Sequence, residues 1–417
     1  MRARRFDLLR GMLRQWFGHR CLRSRVASMA VIIAMSSHAY AATPSANAQV
    51  NVSADAPANA TTFAAIQPGY AVMFPQDSGA HDAFRLEWWY ATGWLETPDH
   101  HPLGFQITFF RSATGHPASD PSAFAPAQLI IAHAALSDPA LGRSVHDQRI
   151  ARSGFGIAYA RAGNTDVKLD TWRMLRAADG RYTVDADATD FALHLTLTPT
   201  QPPLLQGDQG YSRKGPLPLQ ASDYYSQPQL RVTGSVTRPA PATNGRGGQT
   251  DVHAAQALGA TVPVTGSAWL DHEWSSTLLS GDAVGWDWLG ANLADGGAMM
   301  AFRVRGRDGR DVWAQGTLRD AAGHVTRFGP GEVSFTPDRT WRSPRTGATW
   351  PVAMTVHAGG ATWQLAPLLD DQELDSRDST GAVYWEGAVT LTRDGHGAGR
   401  GYLELTGYAK ARDVDRQ

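Results

Sequence analysis

Trp88-Trp89-Tyr90-Ala91-Thr92-Gly93-Trp94-Leu95 and Trp286-Asp287-Trp288-Leu289-Gly290-Ala291-Asn292-Leu293 are two similar aromatic strings far apart in the chain. Each reads as an aromatic strand carrying a glycine. Each is followed by a short loop and a second apolar strand, Phe105 to Arg111 in the first case and Met299 to Arg305 in the second. Both second strands end in arginine. The pattern predicts a duplicated antiparallel β unit. Closing each unit into a barrel would remove exposed strand edges and create an internal cavity.

The surrounding sequence keeps the same period. Phe191, Leu193, Leu195 and Leu197 recur every second residue, as do Met300, Phe302 and Val304, which is the signature of half-buried strands. Asp179-Gly180, Asp295-Gly296, Asp308-Gly309 and Asp394-Gly395 are hairpin signals, because glycine accepts the positive φ of a type I′ turn. No convincing helix-period stretch follows residue 41. The chain is expected to be all-β.

The 417 residues are enough for two domains. Charged residues make up 18% and the formal net charge is -1, so the basic footprint of a nucleic-acid binder is missing. Residues 1–41 read as a signal peptide. A basic leader (Arg2, Arg4, Arg5, Arg20, Arg23, Arg25) precedes the short apolar core Val26 to Met35 and the small residues of Ala39-Tyr40-Ala41. Arg4-Arg5-Phe6 hints at a twin-arginine signal, with a general secretory signal as the alternative. Cleavage would leave a periplasmic or secreted protein without a stable membrane span. The single cysteine, Cys21, lies in the leader, so disulfides and thiol chemistry are not expected in the mature chain. Residues 42–64 read as a flexible tether, 65–238 as a first domain, the Gly- and Pro-rich 239–263 as a linker, and 264–412 as a second domain.

Candidate site residues cluster in acidic, tryptophan-rich strings: Glu87-Trp88-Trp89-Tyr90, Asp271-His272-Glu273-Trp274 and Gly285-Trp286-Asp287-Trp288. An ionisable group set into an aromatic wall is partly desolvated, which moves its pKa toward values useful for proton transfer. With Phe84 to Tyr90, Gly104 to Arg111, Ala132 to Asp138, Asp223 to Ser226, Asp371 to Leu374, Tyr384 to Gly387 and Gly401 to Tyr408, these strings resemble the AttH/carotenoid 1,2-hydratase family. The resemblance runs along most of the chain after residue 64. It implies two tandem lipocalin-like antiparallel β-barrels. It also implies addition of water across a terminal carbon–carbon double bond of an acyclic carotenoid, without a redox cofactor. A histidine, tryptophans and an aspartate serve that reaction in the family. His272, Trp274 and Asp287 are the positions here that match best.

Hydrating an alkene needs a neutral acid to donate a proton, aromatic faces to stabilise the cation, and a base to take a proton from water. Asp287 is expected as the acid and His272 as the base or relay. Trp88, Tyr90, Tyr225, Trp274, Trp286 and Trp288 are expected to line the ligand site. On a strand, however, Asp287 points away from both flanking tryptophans. It would then meet tryptophans of other strands, or solvent. Glu87 and Glu273 are expected to be supporting residues, anchoring Arg111 or Arg305. His133 reads as a core histidine, and His272 has the structural alternative of bridging a turn. No residues have metal-ligand spacing, and no cofactor motif occurs. No Gly-x-Ser-x-Gly elbow supports a hydrolase, so a hydrolase would need an unrecognised site. The expected partner is an apolar small molecule. The non-enzymatic alternative is a periplasmic carrier working beside an ABC transporter permease.

Overall fold

The computed structural model describes residues 63–116, 122, 125–239, 258–277, 279 and 281–409. The expected signal peptide and nearly all of the expected tether lie outside them. Strands dominate. The 3₁₀ turn Gln76–Ser78 is the sole helical element among the described residues, and no helix is long and apolar enough to cross a membrane.

Two antiparallel sheets carry the fold, one of thirteen strands and one of ten. Each curls into a lipocalin-like barrel, as the duplicated pattern predicts. The first is built around the strands Leu86–Glu96, Pro102–Ala113, Ala221–Pro239 and Leu258–Thr277. It encloses Phe105, Ile107, Phe109, Leu136, Trp172, Val184, Leu195 and Leu270. The second is built around Ala283–Leu293, Ala298–Gly306, Ala382–Arg393 and His396–Leu405. It encloses Leu289, Ala301, Trp350, Met354, Trp385, Leu391 and Leu403.

The Asp-Gly turns divide. Asp394 and Gly395 both have positive φ (53° and 77°), as a type I′ hairpin requires. At the other three pairs only the glycine has positive φ, so these turns are of another type.

The expected division of the chain is corrected at one strand. Residues 240–257 lie outside the described set, but Leu258–Thr277 is a single strand of the first sheet. It pairs with Ala221–Pro239 on one side and with Leu86–Glu96 on the other. His272 and Trp274 therefore belong to the first barrel, and the change of sheet falls between Thr277 and Ala283. Gly259 and Pro263, inside the stretch expected to be a linker, are residues of this strand. A side chain at Gly266 would place its Cβ 1.9 Å from the Trp94 carbonyl oxygen, so this glycine marks a close backbone approach inside a sheet.

The barrels are bonded to each other at many points. Trp94 Nε1 donates to Gly401 O at 3.0 Å, and Gln229 Nε2 donates to Leu293 O and Gly297 O at 3.0 and 2.7 Å. Ser144 N donates to Asp371 O at 2.8 Å. An apolar cluster of Tyr90, Trp94, Tyr224, Trp269, Trp288, Met300, Phe302 and Tyr402 fills the seam between the two sheets.

Candidate active site between the barrels

Strand alternation sorts the expected site residues onto three surfaces. Ala268, Leu270, His272 and Trp274 point into the first barrel; Trp269, Asp271 and Glu273, between them in sequence, face the seam. Trp88 and Tyr90 face the seam, whereas Glu87 and Trp89 point inward. On Ala283–Leu293, Trp286 and Trp288 face the seam, while Asp287 shares its face with Leu289 in the second barrel.

The seam brings together what proton transfer to an apolar ligand requires. Tyr90 and Trp288 meet edge to face with ring centroids 5.4 Å apart, and Trp269 meets Trp288 at 6.3 Å. Trp88 and Trp286 are only partly buried at the edge of this cluster. Asp271 accepts hydrogen bonds from Trp269 Nε1 (2.6 Å), Ser226 Oγ (2.6 Å) and Tyr224 Oη (2.7 Å). Burial still pushes it up to about 7. Tyr224 Oη in turn accepts from Trp288 Nε1 at 3.1 Å.

Two further carboxyls face the same space from the second barrel. Glu386 and Glu404 lie opposite each other on neighbouring strands. Glu404 accepts from Trp286 Nε1 at 3.0 Å, and burial pushes it up to about 8. Burial pushes Glu386 well above the usual carboxylate range, and the neighbouring Glu404 adds to the effect. One oxygen of Glu386 and the hydroxyl of Tyr90 are buried without a hydrogen-bond partner. Orphaned polar atoms of this kind are rare and call for an explanation, such as a ligand or water. The seam is otherwise closely filled. It holds a void of about 10 Å³ beside Trp94, Trp269, Gly290 and Tyr402, enough for roughly one water.

Glu386 and Glu404 were not singled out from the sequence as site residues. Their signal was present: each is a lone acid in an apolar strand, in Tyr384-Trp385-Glu386-Gly387 and Gly401-Tyr402-Leu403-Glu404. A carboxyl there must be buried if both sheet faces are covered.

Asp287, expected as the acid, lies on the face of its strand opposite Trp286 and Trp288, away from the seam. It is buried with Oδ2 on Arg303 Nε at 2.7 Å, Oδ1 on Arg305 Nε at 3.2 Å, and the Tyr408 hydroxyl at 3.0 Å. Both carboxylate oxygens are therefore taken up by the second barrel's own side chains. Glu273 bonds Lys214 Nζ at 2.8 Å rather than an arginine. His133 Nε2 meets Ser379 Oγ across the barrels at 2.8 Å, and burial lowers its pKa to about 3, which keeps it neutral.

His272 sits in a second polar cluster, at one end of the first barrel's interior. Its Nε2 lies 2.9 Å from Glu87 Oε1, and its Nδ1 lies 3.3 Å from the Tyr225 hydroxyl. Glu87 Oε2 accepts from Arg111 Nε at 2.8 Å, which is the expected anchoring of Arg111. Glu87 Oε1 also meets His81 Nδ1 at 2.7 Å, and His81 stacks on Trp274 with centroids 3.7 Å apart. Burial opposes ionisation of Glu87, but the two histidines and Arg111 hold it below the usual carboxylate range. Burial lowers His272. At His81 the effect of burial is outweighed by Glu87 and Asp77, and its pKa rises. His81, Glu87 and His272 are a group that can hold a metal ion. His81 gave no sequence signal, because it lies in the irregular stretch before the first strand.

A family model for AttH-like proteins matches residues 65–408. The chain belongs to the AttH-like family. It is similar to the crystal structure of an AttH protein from Nitrosomonas europaea, with 58% identity, a TM-score of 0.75, and coverage of 84% of this chain and 100% of that one. It is also similar in fold to kievitone hydratase from Nectria haematococca, with 14% identity, a TM-score of 0.60, and coverage of 85% of this chain and 98% of that one. No curated protein matches the chain.

Proposed function

We propose that this AttH-family chain is an exported protein whose inter-barrel seam adds water to a carbon–carbon double bond of an apolar, isoprenoid- or lipid-like ligand. The observation that carries the reading is the pair Glu386, buried, and Glu404, partly buried, opposed across neighbouring strands and facing an aromatic wall. Two such carboxyls share protons, because both cannot ionise together. One, held neutral, gives its proton to an alkene carbon. The cation left on the adjacent carbon faces Trp286, Trp288 and Tyr90, and aromatic faces stabilise a desolvated cation by about 2 kcal/mol. Water adds its oxygen to that carbon, and the carboxylate that gave up its proton takes back the one water releases, which restores the pair. Trp88 and Trp286, at the partly open edge of the cluster, are the first side chains an entering ligand would meet. The leader of residues 1–41 supports export.

The test is incubation of the purified protein with acyclic terminal alkenes of isoprenoid type in ¹⁸O water, read by mass spectrometry. A product heavier by one labelled water, absent with Glu404→Gln, supports hydration. Tight retention of the ligand with no product in either protein would replace the enzyme with a carrier.

A further inference from the structure

We propose that His81, Glu87 and His272 form a binding site for a transition-metal cation of the zinc class, separate from the seam. His81 Nδ1 and His272 Nε2 both converge on one oxygen, Glu87 Oε1, at 2.7 and 2.9 Å. The three candidate ligand atoms all lie within 4.8 Å of one another. Two imidazoles and one carboxylate are a donor set that suits zinc and its neighbours rather than magnesium or calcium.

The residues behind the ligands fit the same reading. His81 Nε2 lies 3.3 Å from Asp77 Oδ1. A carboxylate oxygen accepts, so with a cation bound it would keep the His81 proton on Nε2 and leave the Nδ1 lone pair for the metal. Asp77 is itself held by the Tyr70 hydroxyl at 2.9 Å and by Met73 N at 2.7 Å. On His272, the Tyr225 hydroxyl can accept from Nδ1–H, which leaves Nε2 free as the ligand atom. Arg111 occupies Glu87 Oε2, so the carboxylate would bind through Oε1 alone. Without a cation, both ring nitrogens must direct protons at one oxygen. With it, bonds of about 2 Å replace those protons after the group opens by roughly half an ångström. His272 and Glu87 are enclosed, whereas the His81 side chain is 13% exposed and marks the entry. Asp223, nearby at the same barrel end, has one buried carboxylate oxygen without a partner, so the end of this barrel is not a closed hydrogen-bond network.

The test uses the full chain, stripped of metal, titrated with Zn²⁺ in a calorimeter and with Co²⁺ in a spectrophotometer. One equivalent should bind, and Co²⁺ should give the visible absorption of a four- or five-coordinate site. His81→Ala, in the irregular segment ahead of the first strand, should abolish both signals while the circular dichroism spectrum is retained. Asp77→Asn should weaken binding about 10- to 100-fold, as loss of a supporting carboxylate does. His324→Ala, which removes a surface histidine that is 82% exposed, should change nothing. A wild-type protein that takes up no Co²⁺, or uptake that survives His81→Ala, overturns the proposal. Neither outcome touches the seam, so hydration would stand or fall separately.

Discussion

Glu386 and Glu404 stand directly opposite each other on adjacent strands of the second barrel, and among the described residues no cation pairs with either. A buried carboxyl pair without a counter-charge lowers its energy by keeping protons. That pairing controls both what the seam can do and how the fold responds to pH.

Glu404→Gln should remove the acid proton while preserving shape and the bond from Trp286. Turnover of an alkene should fall by about 10²- to 10⁴-fold, the usual contribution of a general acid. Ligand retention should change little. Steady-state kinetics beside native mass spectrometry separate the two effects.

Stability should fall as the solution becomes alkaline. Burial raises Glu404 in the fold to about 8, from an ordinary glutamate value of 4.5. Between these values the folded chain binds more protons than the unfolded chain, so unfolding becomes easier with rising pH. Thermal melts from pH 5 to 9 should show a declining midpoint. In Glu404→Gln the decline should be shallower. An unchanged slope would mean that Glu404 is ionised in the fold.

Asp287→Asn should act on folding rather than chemistry. It takes the shared carboxylate away from the largely buried Arg303 and Arg305, and leaves Arg303 only its 3.4 Å contact with Asp311. Breaking a buried pair in this way costs about 3–5 kcal/mol. Denaturant titration should show that loss, whereas activity per folded molecule should persist.

Cleavage anywhere within residues 240–257 should not separate the halves of the molecule. The strands that flank this stretch, Ala221–Pro239 and Leu258–Thr277, are paired with each other inside one sheet. The nicked protein should elute from a sizing column as one species and come apart only in denaturant.

Much of the architecture is legible because period-two alternation and repeated aromatic strands survive in the sequence. The domain limit was harder to place. Gly259 and Pro263 carry the composition of a linker, yet they sit in the long strand Leu258–Thr277. The site was legible in part. Trp88, Tyr90, Trp286 and Trp288 do meet at one surface, because all four lie on strand faces turned toward the other barrel. His272 and Asp287 do not meet, because each lies on the opposite face of its strand from the seam. Adjacency in sequence says little about adjacency in space when successive side chains point opposite ways. Glu386 and Glu404 come from a distant part of the chain, and only the packing of the second barrel against the first brings them to the aromatic wall.

Leu258–Thr277 carries residues of both polar clusters on its two sides, with Asp271 and Glu273 on one and His272 and Trp274 on the other. An insertion or deletion of one residue before Asp271 would exchange the two sets at a stroke, since a one-step slip turns every side chain over. Carboxylates would then enter the first barrel, and the imidazole would enter the seam. Length changes are therefore barred from this strand in a way that point substitutions are not. Libraries built to diversify this protein should vary residue identity here and confine length variation to the loops.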